Sequence, residues 1–236
     1  MTALGSSQAN LWQVGADAID VSRGAARTAT IAARPKRVTL DLAASAIIVI
    51  DMQALFCRAR PHETSAPPTA KPIQPLERML PVLRKAGVPV IWVNWGNRTD
   101  KLNIGPSVMH SFAREGGFRP PILDKGSADA AIVDGLTVGA DDIHVDKYRV
   151  SGFWDSELDS VLRNLRVTTL FFAGVNLDQC VHATLLDAHC LNYDCVLVED
   201  CCATRSPDYC TQATLYNVER GMGFVTDSAA VVAALA

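Results

Sequence analysis

The stretch TLFFAGVNLDQCVHATLLDAHC, residues 169–190, contains the change of period that decides the fold. Thr169–Ala173 is an unbroken apolar burst of strand length. Gly174 interrupts it, Val175–Gln179 reads as a turn, and Cys180 opens a helical pattern in which Val181, Leu185 and Ala188 recur on one face before Asn192. A strand without polar alternation is expected to be buried on both faces, as in a parallel sheet. The same kind of burst recurs outward in both directions: Ala46–Ile50, Val88–Val93, Asp142–Val145, Cys195–Val198 and Gly223–Val225. Helical patterns lie between them. Pro75 sits at a first helical position, Leu76, Met79, Leu80 and Leu83 share a face, and Gly87 closes the helix. Ser156 and Asp159 form a capping-box pattern ahead of Leu158, Val161, Leu162 and Leu165, while Ser206-Pro207 opens a last helix that Gly221 ends. Strand and helix alternate, so the class is α/β with a mainly parallel sheet.

With 236 residues and 49% hydrophobic content, the chain suits one α/β domain, expected over residues 41–236. Residues 1–40 show no clear period and are expected to form an N-terminal arm. The segment 98–127 reads as a long irregular excursion that could roof a pocket. A net charge of −3 without a basic stripe argues against nucleic acid as a partner. No apolar run reaches the roughly 18 residues that span a bilayer, and Met1–Asn10 lacks a secretory pattern. Seven cysteines, an odd number, point to reduced thiols and a cytoplasmic setting. Cys201 and Cys202 are adjacent and cannot pair without strain. Neither a CxxC pair nor a spaced Cys/His set is present, so no metal is expected.

Ligands of open parallel sheets bind beyond the carboxyl ends of the strands. Three reactive side chains fall there: Asp51 after the first strand, Lys147 after the strand near Val145, and Cys180 after Gly174. At the start of a helix and near an ammonium, the Cys180 thiol is expected to favour its thiolate. Free N–H groups of that first turn could receive an oxyanion. Asp51 could serve as general base for the thiol and acid for a leaving amine, with Lys147 holding their charges. The remaining cysteines read as small buried hydrophobes. His182, two residues beyond Cys180, is expected to point away from it on a helix.

These residues also carry a family resemblance. The segment from Ala46 through Asp51 to Cys57, the run Lys147-Tyr-Arg-Val-Ser-Gly-Phe153, the turn from Ala173 to Thr184 and the strand end Val198–Ala203 together resemble the motifs of isochorismatase-like cysteine hydrolases. The resemblance implies a single Rossmann-like three-layer αβα domain with a six-stranded sheet. It also implies a catalytic triad of Asp51, Lys147 and Cys180, and a cis peptide between Val175 and Asn176. The main-chain amides of Asn176 and Cys180 would then form the oxyanion hole, and the protein would be a homo-oligomer, a tetramer or dimer. Members that open the vinyl ether of isochorismate lack the cysteine, so an amidase-type reaction is expected here. The nicotinamidase metal motif is replaced by Val93–Arg98, which implies no metal and no other cofactor. The second half is most similar to hydrolases of ureidoacrylate, N-carbamoylsarcosine, biuret and triuret, which implies a small-molecule amide substrate of ureido or carbamoyl type.

For such a substrate, Asn94, Asn97 and Gln179 could bond urea-like groups, and Phe56, Trp95, Tyr148 and Trp154 could wall the pocket. Arg98 or Arg149 could anchor a carboxylate or a second carbonyl. Two rival readings stand beside this one. A vinyl-ether hydrolase would keep its activity as Cys180→Ala. An inactive binding or scaffold member would show a Cys180 no more reactive towards iodoacetamide than the other six cysteines.

Overall fold

A computed structural model describes residues 2–7, 10–14, 19–20, 26–60, 63–114 and 122–235. The central sheet has six strands: β1 (Ser45–Ile50), β2 (Val90–Trp95), β3 (Ile143–Lys147), β4 (Thr169–Val175), β5 (Asp194–Ala203) and β6 (Gly223–Thr226). All pair in parallel in the order β6-β5-β4-β1-β2-β3. The direction of strand addition reverses between β1 and β4, the topological switch point where ligands bind in open sheets.

The missing alternation has a direct cause. Within β1, Ile48 lies between Ile91 and Phe172 on neighbouring strands, and Ile47 between Val90 and Phe171. The Ile48 row enters one apolar core and the Ile47 row the other, so both faces of the sheet are buried. Over the Ile48 face pack the helices Leu158–Leu165, His182–Cys190 and Asp208–Gly221, through Leu158, Leu162, Leu185, Ala188 and Val218. Against the other face lie Ile73–Lys85, through Leu76, Met79, Leu80 and Leu83, and Ser228–Leu235, through Val231. These are the three layers of the expected fold. Among the described residues no helix is long and apolar enough to cross a membrane.

Several local expectations change. The helix expected to begin at Pro75 starts at Ile73, with Pro72 at its N-cap; Gly87 closes it with a left-handed φ of 70°. At Leu158–Leu165 the cap position is Glu157. Ser156, one residue earlier, bonds the Leu158 amide at 3.1 Å, while Asp159 turns outward to Arg163. The segment read as an irregular arm contains antiparallel pairs: Thr2–Ser7 with Asn10–Val14, and Thr28–Ile31 with Val38–Asp41. The second hairpin buries Ile31 and Leu40 in the core beneath Ile73–Lys85. Its strands of four residues are too short for their alternation to stand out in sequence. The excursion over 98–127 holds a helix of its own, Pro106–Arg114.

Candidate active site

Three strand ends deliver the reactive groups to one point. β1 stops at Ile50, and Asp51 takes a left-handed φ of 51° while its amide donates to the Val93 carbonyl at 3.1 Å. This turn needs β4 pressed close beside it. Gly174 has a φ of 117°, and a Cβ there would collide with the Ile50 backbone, so only glycine fits. Gln53, fully buried, bonds the Trp95 amide and carbonyl (3.0 and 2.8 Å) and the Ala130 carbonyl (2.8 Å), locking the segment after Asp51 to the end of β2. Sequence reading did not single out Gln53. A polar residue two positions past the acid, in an apolar stretch, was the signal available.

Lys147, the last residue of β3, is completely buried. Its Nζ lies 3.0 Å from Asp51 Oδ2 and 3.5 Å from Cys180 Sγ, and donates to the Arg149 carbonyl at 3.0 Å. The same nitrogen sits 3.7 Å from the centroid of the Trp95 ring, a cation–π contact in a desolvated place. Cys180 reaches the ammonium from a single π-helical turn, Leu177–Val181, which follows the cis peptide Val175–Asn176 and runs into His182–Cys190. The Thr184 hydroxyl donates to the Cys180 carbonyl at 2.6 Å and accepts from the Gly152 amide at 3.0 Å. The turn that carries Cys180 is thereby tied to the segment that follows Lys147.

Burial and charge pull the two acids of this site in opposite directions. Burial pushes the Cys180 thiol up to about 12; the Lys147 ammonium opposes this and the Asp51 carboxylate reinforces it. Desolvation works against the thiolate here and the Lys147 ammonium works for it. Burial also raises Asp51, against the pull of Lys147. The 3.0 Å contact between Asp51 and Lys147 is an ion pair. One ammonium thus faces two acids of raised pKa. The pocket favours a single negative charge shared between them, because a second would be buried without a counter-ion.

A cavity of about 490 Å3 opens beside this group, lined by Asp51, Cys180, Asn176, Phe56, Trp95 and Gln179 among others. His182 borders the cavity as well. The helix Pro106–Arg114 contributes Ser107, Val108, Ser111 and Phe112, which sequence reading had left inside the irregular excursion.

Other expected binders lie elsewhere. Asn94 lines a separate depression with His144 and Asp146. Asn97 is buried, with its amide on the Ile122 carbonyl at 3.1 Å. Arg98 is at the surface, paired with Asp100. Arg149 binds the carbonyls of Asn103 and Tyr148 and pairs with Asp155 at 2.7 Å, whereas the Tyr148 side chain does not line the cavity. Trp154 is largely exposed and donates to Asp187 at 2.8 Å, in an outer groove that meets the cavity at Val150 and Ala183. Among the described residues no three His, Cys, Asp or Glu side chains gather as metal ligands.

Residues 45–230 match the isochorismatase domain family. The ureidoacrylate amidohydrolase RutB of Cronobacter sakazakii is 34% identical over 213 residues, covering 85% of this chain and 92% of that protein. Its counterpart in Agrobacterium fabrum is 33% identical over 209 residues, covering 83% and 92%. Among solved structures, a cysteine hydrolase from Pseudomonas syringae pv. phaseolicola superposes with a TM-score of 0.73 at 27% identity, covering 83% of this chain and 94% of that one. The N-carbamoylsarcosine amidase of Thermoplasma acidophilum gives 0.64 at 26% identity, covering 78% and 96%.

Proposed function

The chain belongs to the isochorismatase family, and from that premise we propose that it is a cysteine-dependent amidohydrolase acting through a thioester on Cys180. Its substrate is a small ureido or carbamoyl amide of the biuret, triuret or ureidoacrylate kind. With ureidoacrylate amidohydrolases aligned along most of its length, the chain is a hydrolase of carbon–nitrogen bonds other than peptide bonds. The nucleophile, the intermediate and the substrate are the proposal. One observation carries it: Lys147 Nζ lies 3.0 Å from Asp51 and 3.5 Å from Cys180 at the wall of a cavity.

The shared charge sets the order of events. Asp51 takes the thiol proton as sulfur bonds to the substrate carbonyl carbon, so the negative charge moves without a net change beside Lys147. The main-chain N–H groups of Asn176 and Cys180 receive the oxyanion. Collapse of the adduct breaks the C–N bond, and Asp51 gives its proton to the departing amine or ammonia. A water then adds to the thioester carbonyl while Asp51 removes its proton. The second adduct expels sulfur, which recovers that proton and closes the cycle. Lys147 stays protonated throughout and keeps carboxylate and sulfur in register. Phe56, Trp95 and Gln179 contact the substrate, with the Gln179 amide matched to urea-like donors and acceptors.

The test is ammonia release from ureidoacrylate, biuret, triuret and N-carbamoylsarcosine, with quenched samples weighed for an acyl adduct on Cys180. Wild type should turn over at least one of them, and Cys180→Ala should lose roughly 10³-fold or more. A Cys180→Ala protein that hydrolyses these amides as wild type does would end the proposal.

A further inference from the structure

The cavity holds more than a ureido group needs. At about 490 Å3 it exceeds by more than tenfold the ~30 Å3 that one water occupies in the liquid, and a bare urea is only a few waters in size. Its extra wall is apolar and comes from separate parts of the chain: Phe56 after β1, Val108 and Phe112 from Pro106–Arg114, Val150 after Lys147, and Leu186 from His182–Cys190. That wall begins at the reactive centre itself. Phe112 packs edge-on against Trp95, with ring centroids 5.1 Å apart and planes at 84°, and Trp95 lies directly under the Lys147 ammonium. At the mouth, Val150 is 45% and Leu186 38% exposed, an exposure of large apolar side chains that core packing does not explain. Of the described residues, the two guanidiniums named above as candidate carboxylate anchors are engaged elsewhere, Arg98 by Asp100 and Arg149 by Asp155 and two carbonyls.

We infer that the amide cleaved at this site carries an apolar substituent, an alkyl chain or an aryl ring, seated against Phe112, Val108 and Leu186. The inference rests on the amidohydrolase reading and shifts its substrate from unsubstituted biuret and triuret to a ureido compound that carries such a group. Polar groups at the elbow fix the carbonyl, and the apolar wall selects what is attached to it.

Acylureas supply the test, since they replace one amino group of biuret with a chain of chosen length and, from one acyl chain to the next, leave the reacting carbonyls alike. Acetylurea, pentanoylurea and phenylacetylurea are compared with biuret in two measurements. The first is kcat/KM from released ammonia and urea with the wild-type protein. The second is Kd by calorimetry with Cys180→Ala, which does not depend on turnover. Burial of the added methylenes should raise both kcat/KM and affinity by about ten- to fiftyfold from acetyl to pentanoyl. Phe112→Ser should flatten that slope. So should Leu186→Gln, which alters an exposed rim position and does not rely on a core residue for folding. Equal affinity and equal turnover across the series would overturn the inference and leave the amidohydrolase reading standing. Rising affinity without hydrolysis of any amide would instead sink the reaction and keep the pocket's preference.

Discussion

Two buried lysine–aspartate pairs in this molecule look alike and differ in what surrounds them. Lys147 meets Asp51 with side chains 0% and 1% exposed, and Lys101 meets Asp124 with both at 9%. Lys101 also donates to the Arg98 carbonyl at 3.2 Å. That pair joins two points of the same excursion, between β2 and β3, and fastens the chain there. The Lys147 pair joins the ends of β1 and β3 and has a third member, the Cys180 thiol, on the wall of a cavity. A buried ion pair by itself is weak evidence for either stability or chemistry. What separates the two sites is the second acid that shares the ammonium.

The largest effect should come from removing that ammonium. Lys147→Met leaves Asp51 buried and uncompensated, which should cost about 3–5 kcal/mol together with roughly 10³-fold or more of kcat/KM. Urea melts and ammonia release measure the two losses. A variant keeping more than about a tenth of wild-type turnover would erase the distinction between the pairs.

Lys101→Met should cost a comparable 3–5 kcal/mol, yet kcat per folded molecule should stay within about threefold of wild type. Adding Asp124→Leu should return much of the lost stability, because an apolar pair of similar volume avoids desolvating a charge. Collapse of turnover at constant stability would place Lys101 in the chemistry.

The smallest effect concerns the third member. Burial pushes the Cys180 thiol up to about 12 in the folded protein, from an ordinary value of 9.0. Unfolding therefore releases a proton between those values, and stability present below pH 9 is lost as pH rises towards 12. Cys57 and Cys195, also pushed to about 12 by burial, share this drift. Cys180→Ala should thus lower the alkaline loss of Tm between pH 9 and 11 by a few degrees without abolishing it. An unchanged slope would mean that the thiol is already ionised in the folded state.

Much of this architecture was legible in the chain. Unbroken bursts such as Ala46–Ile50 and Thr169–Ala173 revealed strands buried on both faces, since alternation disappears when successive residues enter two different cores. Asp51, Lys147 and Cys180, which the structure brings together, stood out as candidates because each falls at the end of such a burst, where a parallel sheet presents its loops. The hairpin Thr28–Asp41 and the helix Pro106–Arg114 were missed, being too short or too mixed for a period to show. Asn94, Asn97, Arg98, Tyr148 and Trp154 were chosen for chemistry and proximity in sequence. Their directions depend on contacts from remote segments, such as the Ile122 carbonyl that takes the Asn97 amide.

Order along the chain, the class of fold and the three reactive groups were set by local composition and period, which any reader of the residues can follow. How strongly burial opposes ionisation of Cys180, which side chains face the cavity, and which of two lysine–aspartate pairs carries a third partner were decided only when distant segments closed around them. Burial and distance are properties of that packing, and it is desolvation, acting over a few ångströms, that fixes where the charge can sit.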